Sequence, residues 1–326
     1  MKDAIVLSIV ITVVSGKEAL RRCLDALRPQ VDPAATEIIV PYDQWSIEVG
    51  ELIPDFPDVR FHLIEARAAA ARDGQTLHRH ELYDRRRAVG LSLAKGRLVA
   101  MTEDHALPAP DWCRQIVAAH EQPYAVIGGA IDNAVDRPIN WALYYCDFGR
   151  FGRPLPSRET AYASDVNVAY KRGALEAIRE VWRDAYHETI VHWTLRSRGE
   201  VLFLDSRLVV HQHRPAISLG RAYRERIEWG RTFAETRIAR CGVWRGLLYA
   251  AGTPVLPVTL LIRVLRHMRR QRRTIRQMAT TLPLALYLLT GWTLGEFIGY
   301  VSARNPDKYL SPLPGREPSR VEPRGV

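Results

Sequence analysis

The stretch RLVAMTEDH, residues 97–105, decides how the chain is read. Arg97 to Thr102 has the make-up of a buried strand, and Glu103-Asp104-His105 follows at its C-terminal end. In open α/β sheets ligands bind outside the carboxyl ends of the strands, so the triplet marks a candidate site as well as a strand end. Upstream, His80 to Ala94 reads as a helix closed by Gly96. Further back, AIVLSIVITVV (4–14) is the β-branched run of a strand buried on both faces. Asp3, Ser8 and Thr12 argue against a signal peptide there. Lys17 to Leu27 reads as a helix with Ala19, Leu20, Cys23 and Leu27 on one face. Glu37–Val40 and Val59–Ile64 are the second and third strands. Strand–helix–strand order of this kind predicts an α/β fold with a mostly parallel central sheet and right-handed crossovers.

Downstream, Pro108, Pro110 and Trp112 open another helix, and Tyr124–Ile131 is strand-like. Residues 132–160 read as a long loop rich in Pro, Gly and aromatics. Ala161–Tyr170 returns as a strand, Lys171–Val181 and Glu188–Arg198 as helices, and Val201–Val210 as a late strand.

The 326 residues carry a net charge of +10, unevenly placed. Between Arg214 and Arg276 fifteen arginines face three glutamates, a local balance of +12 that leaves about −2 for the rest. An anionic partner for that one segment is implied. The cysteines Cys23, Cys113, Cys146 and Cys241 lie far apart without CxxC pairing, which disfavours a zinc site or disulfide framework and fits a reducing compartment.

Glu103 and His105, one residue apart at a strand end, point the same way and can reach one cation. Carboxylate plus imidazole suits Mn²⁺, and Mg²⁺ less readily. The plain alternative is an acidic loop with a solvated histidine. Glu188 is a candidate general base toward a hydroxyl, or simply a first-turn acid favoured by the helix dipole. His211 and His213 suit metal or phosphate contact, or stand as polar strand-end residues. Asp43 is placed to accept hydrogen bonds from a base or ribose, and Arg86 to pair with a phosphate.

In their order these signals resemble family-2 glycosyltransferases of the GT-A fold over roughly residues 5–215. LSIVITVVSGKEALRRCLDAL is similar to the family's first strand and helix, and EIIVPYDQW to its second strand with a terminal acid, here Asp43. DRRRAVGLSLAKGRLVAMTEDHALPAPDW resembles the segment from the family's Arg-Asn-x-Gly helix to its metal motif. ASDVNVAYKRGAL and HETIVHWTLRSRGEVLFLDSRLVVHQH resemble the acceptor-side strand, the base-bearing helix and the closing histidine. The resemblance implies a divalent metal (Mn²⁺ or Mg²⁺) at Glu103 and His105 and catalysis by Glu188. It implies donor contacts from Asp43, Arg86, Asp104 and His213, with Gly90 matching the motif glycine. The sequence departs from the family at Tyr42, Arg87, His187 and Thr12–Ser15. A nucleotide-sugar donor and a glycan or lipid-linked acceptor are the implied partners, with inversion at the transferred sugar in cell-surface glycan assembly. A non-catalytic sugar-nucleotide or glycan binder retaining the fold is the alternative.

The C-terminal part differs in character. Residues 221–240 read as an amphipathic helix with Tyr223, Ile227, Ala234 and Ile238 along one side. Two apolar stretches follow, 246–262 and 279–295, joined by a linker carrying seven arginines. Prolines 254, 257 and 283 and glycines 291 and 295 are expected to break or loosen them. Few aromatics interleave the arginines, so anionic membrane lipid, rather than nucleic acid, is the expected partner. The organisation expected is a catalytic domain (1–216), helices for membrane association (217–304) and a disordered tail (305–326). Short Arg-rich loops stay cytoplasmic. The two stretches are therefore expected to lie as a hairpin in the cytoplasmic leaflet of the inner membrane, with two full spans or two buried helices of a soluble domain as the alternatives.

Overall fold

The structure is a computed structural model that describes residues 5–65, 79–215 and 217–302. It divides into two compact units, Met1–Tyr144 with Phe148–Ala216, and Tyr145–Asp147 with Ile217–Val326. The tail expected at 305–326 lies outside the described residues.

The first unit is built on one sheet. Its strands are β1 (Leu7–Thr12), β2 (Thr36–Tyr42), β3 (Val59–Leu63), β4 (Leu98–Glu103), β5 (Ala106–Pro108), β6 (Val126–Asn133), β7 (Arg158–Thr160), β8 (Asn167–Lys171) and β9 (Leu202–Gln212). Between them run α1 (Lys17–Leu27), α2 (Arg79–Leu93), α3 (Trp112–Ala119), α4 (Pro138–Asp147), α5 (Arg172–Glu176), α6 (Arg179–Trp182) and α7 (Glu188–Ser197). The order across the sheet is β3-β2-β1-β4-β8-β6-β9-β5, with β7 also on β9.

Alternate residues of each central strand face opposite layers. Leu7, Ile9, Ile11 and Val13 pack with Leu20, Cys23, Leu24 and Leu27 of α1 and with Trp112 and Ile116 of α3. Val10, Ile39, Val99 and Met101 pack on the other side with Ala88 and Leu91 of α2, and with Leu175, Trp182 and Val191. Helices thus cover both faces, as a β-branched run without polar alternation requires.

The expectation of a mostly parallel sheet needs correcting. Pairing is parallel through β3-β2-β1-β4 and between β6 and β9. It is antiparallel where β8 meets β4 and β6, and where β5 and β7 meet β9. The sheet is mixed because β8 returns from the 134–166 connection without crossing a sheet face, which antiparallel neighbours permit. That connection is no plain loop either, since it contains α4 and β7. The reversal has a consequence for position: Thr102, next to the end of β4, pairs with Asn167, the first residue of β8. Residues just before β8 therefore stand beside residues just after β4.

Gly90 lets α2 lie close on the sheet. A Cβ there would come 2.3 Å from Val10 Cγ1 and 3.0 Å from Pro41 Cγ. Arg86 and Arg87, a turn earlier, are thereby held against the ends of β1, β2 and β4.

The second unit contains α8 (Leu219–Cys241), α9 (Val243–Gly252), α10 (Leu256–Arg270) and α11 (Ile275–Ser302), with a 3₁₀ turn at Thr253–Val255. Gly291 and Gly295 do not loosen α11; they are contact points in one continuous helix that includes Pro283. A Cβ on Gly295 would lie 2.1 Å from the Ile227 carbonyl oxygen, and one on Gly291 2.9 Å from the Tyr223 ring. The arginine linker is likewise mostly helix, because α10 runs to Arg270 and only residues 271–274 separate it from α11. The buried Arg226 forms a two-pronged ion pair with Asp147 and stacks over Trp229.

Gly90→Ala is expected to cost about 1–3 kcal/mol of stability through overpacking. Val10→Ala on the same background should recover part of the loss, as measured by urea unfolding.

Candidate functional site

Most of the polar groups at the carboxyl end of β4 are paired with one another. Asp104 is fully buried, and its Oδ2 accepts three consecutive backbone N–H groups, from Val14 (3.0 Å), Ser15 (2.7 Å) and Gly16 (2.9 Å). This folds the β1–α1 loop over the strand end, with Gly16 at φ +95°. The other oxygen, Oδ1, is 3.3 Å from His105 Nδ1, which also meets Ser15 Oγ at 3.1 Å. The imidazole is therefore oriented from its Nδ1 side, and Nε2 is aimed at Glu103.

Glu103 Oε2 lies 3.3 Å from His105 Nε2. The Gln212 amide nitrogen is 3.3 Å from the same ring atom. Carboxylate oxygen and imidazole nitrogen at this separation are near enough to act as donors toward one cation. No group of three His, Cys, Asp or Glu able to hold a metal occurs among the described residues. His213, whose backbone N–H donates to the His105 carbonyl at 2.6 Å, has a buried Nδ1 without a partner.

Asp43 and Arg86, each expected to touch a donor, are brought together instead. Arg86 Nε and Nη2 donate to the two oxygens of Asp43 at 2.9 and 2.7 Å, and Nη1 donates to the Val13 carbonyl. Asp43 also caps the 3₁₀ segment after β2 by accepting from Trp45 N at 3.0 Å. The pair ties together the ends of β1 and β2 and helix α2.

Arg87, the departure from the family's asparagine, occupies the centre. Its Nη2 is 2.8 Å from Glu103 Oε1 and 2.8 Å from Asp165 Oδ2, and Nη1 is 3.2 Å from Asp84. The second oxygen of Asp84 is 2.9 Å from His187 Nδ1. Glu188 opens α7, and its Oε2 accepts the Asp165 backbone N–H at 3.0 Å. Glu103, His105, Arg87, Asp165 and Glu188 thus form one connected group at a single sheet edge. Sequence reasoning missed Asp84 and Asp165. The strand expected over Ala161–Tyr170 starts only at Asn167, which leaves Asp165 in the turn before it, where the sequence carried no separate signal.

The electrostatics follow from burial and proximity. Burial raises the Glu103 carboxyl, and the opposing pull of His105 and Arg87 does not cancel that rise. Burial alone would lower His105, but hydrogen bonding to Asp104 and the charge of Glu103 raise it on balance. His187 is likewise raised, with Asp84 outweighing burial. Glu188 is held well above the usual carboxylate range by burial and then by the neighbouring Asp165 charge.

No model of a known protein family matches the chain, and no curated protein matches it. Among solved structures it is similar to S. aureus TarS 1-349 in complex with UDP-GlcNAc, with a TM-score of 0.51 and 11% identity over 92% of each chain. It is also similar to the mannosyltransferase PcManGT from Pyrobaculum calidifontis in complex with GDP-Man and Mn²⁺. There the TM-score is 0.45 and the identity 15%, covering 94% of this chain and 76% of that one. The likeness to TarS is one of fold.

In a carboxyl NMR titration Glu188 is expected to titrate above the ordinary glutamate value of about 4.3. In Asp165→Asn its midpoint should move down, because a like charge has been removed. An unchanged midpoint would show that Asp165 does not act on it.

Proposed function

We propose that the chain is a glycosyltransferase that moves a sugar from a nucleotide-sugar to an acceptor hydroxyl with inversion. The observation that supports this reading is the joining, at one sheet edge, of the Glu103–His105 pair to Glu188 through Arg87 and Asp165. The shared fold with a protein solved with UDP-GlcNAc supports it independently.

Glu188 takes the proton of the acceptor hydroxyl. The oxygen so freed forms a bond to the anomeric carbon as the bond from that carbon to the diphosphate breaks. Glu103 and His105 would hold a divalent ion, Mn²⁺ or Mg²⁺, which would supply Lewis-acid compensation for the departing charge. Asp104 holds His105 in the required orientation, the outer-sphere role that carboxylates play toward ligating histidines. Asp43 and Arg86 tie the ends of β1 and β2 to α2 on the side assigned to the nucleotide, and His213 follows β9 beside His105.

Membrane attachment belongs to the same reading. Two helical runs, Trp244–Arg270 and Ile275–Ser302, are long and apolar enough to cross a membrane; 17% and 50% of their most apolar windows are buried. Trp244 is 83% and Leu248 73% exposed, with Val255, Val258 and Ile262 continuing an uncovered apolar face. Arg263, Arg266, Arg269 and Arg270 end α10, where attraction to anionic headgroups is worth about 1 kcal/mol per residue. These features suit a hairpin lying in the cytoplasmic leaflet, beside a lipid-linked acceptor. A cysteine in place of Gln271 should resist an impermeant thiol reagent outside intact cells; strong labelling would favour two full spans.

The decisive assay is nucleoside diphosphate release from a panel of nucleotide-sugars with Mn²⁺ and a membrane lipid extract. Glu188→Gln is expected to lower turnover about 10²–10⁴-fold while leaving donor binding nearly unchanged. A chelator should stop release and Mn²⁺ restore it. Donor binding with no turnover by the wild type would identify a sugar-nucleotide binder instead.

A further inference from the structure

We infer that Arg87 is a positioning residue that sets the separation between the donor-side carboxylate and the general base. This inference rests on the transferase reading above. One nitrogen, Nη2, stands 2.8 Å from Glu103 on β4 and 2.8 Å from Asp165, which precedes β8. Nη1 reaches Asp84 at 3.2 Å, on the same helix as Arg87 itself. The Arg87 side chain is 8% exposed, so these donors have little access to water. Asp165 passes the constraint on through its backbone, whose N–H is fixed to Glu188 Oε2. Asp84 passes it on through His187, the residue that precedes Glu188.

Two separate routes therefore run from one guanidinium to the start of α7, while a third contact fixes Glu103. The planar fork is what makes the arrangement possible. An ammonium at the end of a lysine carries the same charge but lacks donors at two fixed, divergent positions. Arg87 needs no contact with sugar or phosphate for this role. It acts through the groups it holds.

The test compares the full-length wild type with Arg87→Lys, using nucleoside diphosphate release from UDP-GlcNAc, GDP-mannose and other nucleotide-sugars with Mn²⁺. Binding of UDP and GDP with Mn²⁺ is measured in parallel by calorimetry, and folding by thermal melting. Misplacement of about 1 Å at a reacting group costs on the order of 10²-fold, so kcat of Arg87→Lys is expected to fall by about that factor. KM and nucleoside diphosphate binding should stay within about threefold. Adding Asp165→Asn to Arg87→Lys should cost little more, because both changes cut the same linkage. Asp165→Asn alone, which keeps the backbone N–H and disturbs fewer contacts, covers the case in which Arg87→Lys fails to fold. It should show the same split between kcat and KM. Wild-type kcat in a folded Arg87→Lys, or kcat and binding lost together, would overturn the positioning role alone. Absence of release by the wild type from every donor would overturn the transferase reading, and the positioning role with it.

Discussion

A single guanidinium nitrogen shared between Glu103 and Asp165 is the contact around which the first unit is arranged. Without Arg87 three acids, Asp84, Glu103 and Asp165, would face one another in a poorly solvated space. Removing one member of such a buried network typically costs about 3–5 kcal/mol, because the remaining charges stay behind uncompensated. The same contact joins strands that are neither consecutive nor parallel, so it constrains topology as well as charge. Glu103 sits where it does because β4 is central, and Asp165 because β8 runs against its neighbours.

Asp104 supplies the complementary constraint on the other side of the strand end. A carboxylate accepting three successive amides makes a small anion nest of the β1–α1 loop. Its second oxygen sets the ring of His105. Backbone and imidazole are thus held by one buried side chain, leaving Glu103 Oε2 and His105 Nε2 facing one another. The chemistry proposed for this edge depends on that orientation more than on the identity of any surface residue.

Much of this was legible in the sequence, for physical reasons. Strands β1 and β4 announced themselves through largely apolar runs. The ends of α2 and α7 lay within a residue or two of their expected positions, His80–Ala94 and Glu188–Arg198. Glu103, His105 and Glu188 could be singled out because strand ends and helix starts are local features. The reversal of β8 was not legible, since a short buried strand has the same composition in either direction. Asp165 was invisible for that reason: its role comes from Arg87, 78 positions earlier in the chain. Arg87 looked like a lapse from a motif and proved to be the hub. In the second unit the glycines of α11 read as weak points on propensity alone. Their actual use, close approach to the backbone of α8, is a tertiary property.

The claim that carries the account is that Glu103 and His105 form a cation seat beside a bound nucleotide. Pulsed electron paramagnetic resonance of the wild type with Mn²⁺ and UDP tests it without reference to turnover. The account predicts a ¹⁴N coupling from one directly bound imidazole, lost in His105→Ala with the protein still folded. Bound Mn²⁺ with no nitrogen coupling, or a coupling that survives in His105→Ala, would contradict it.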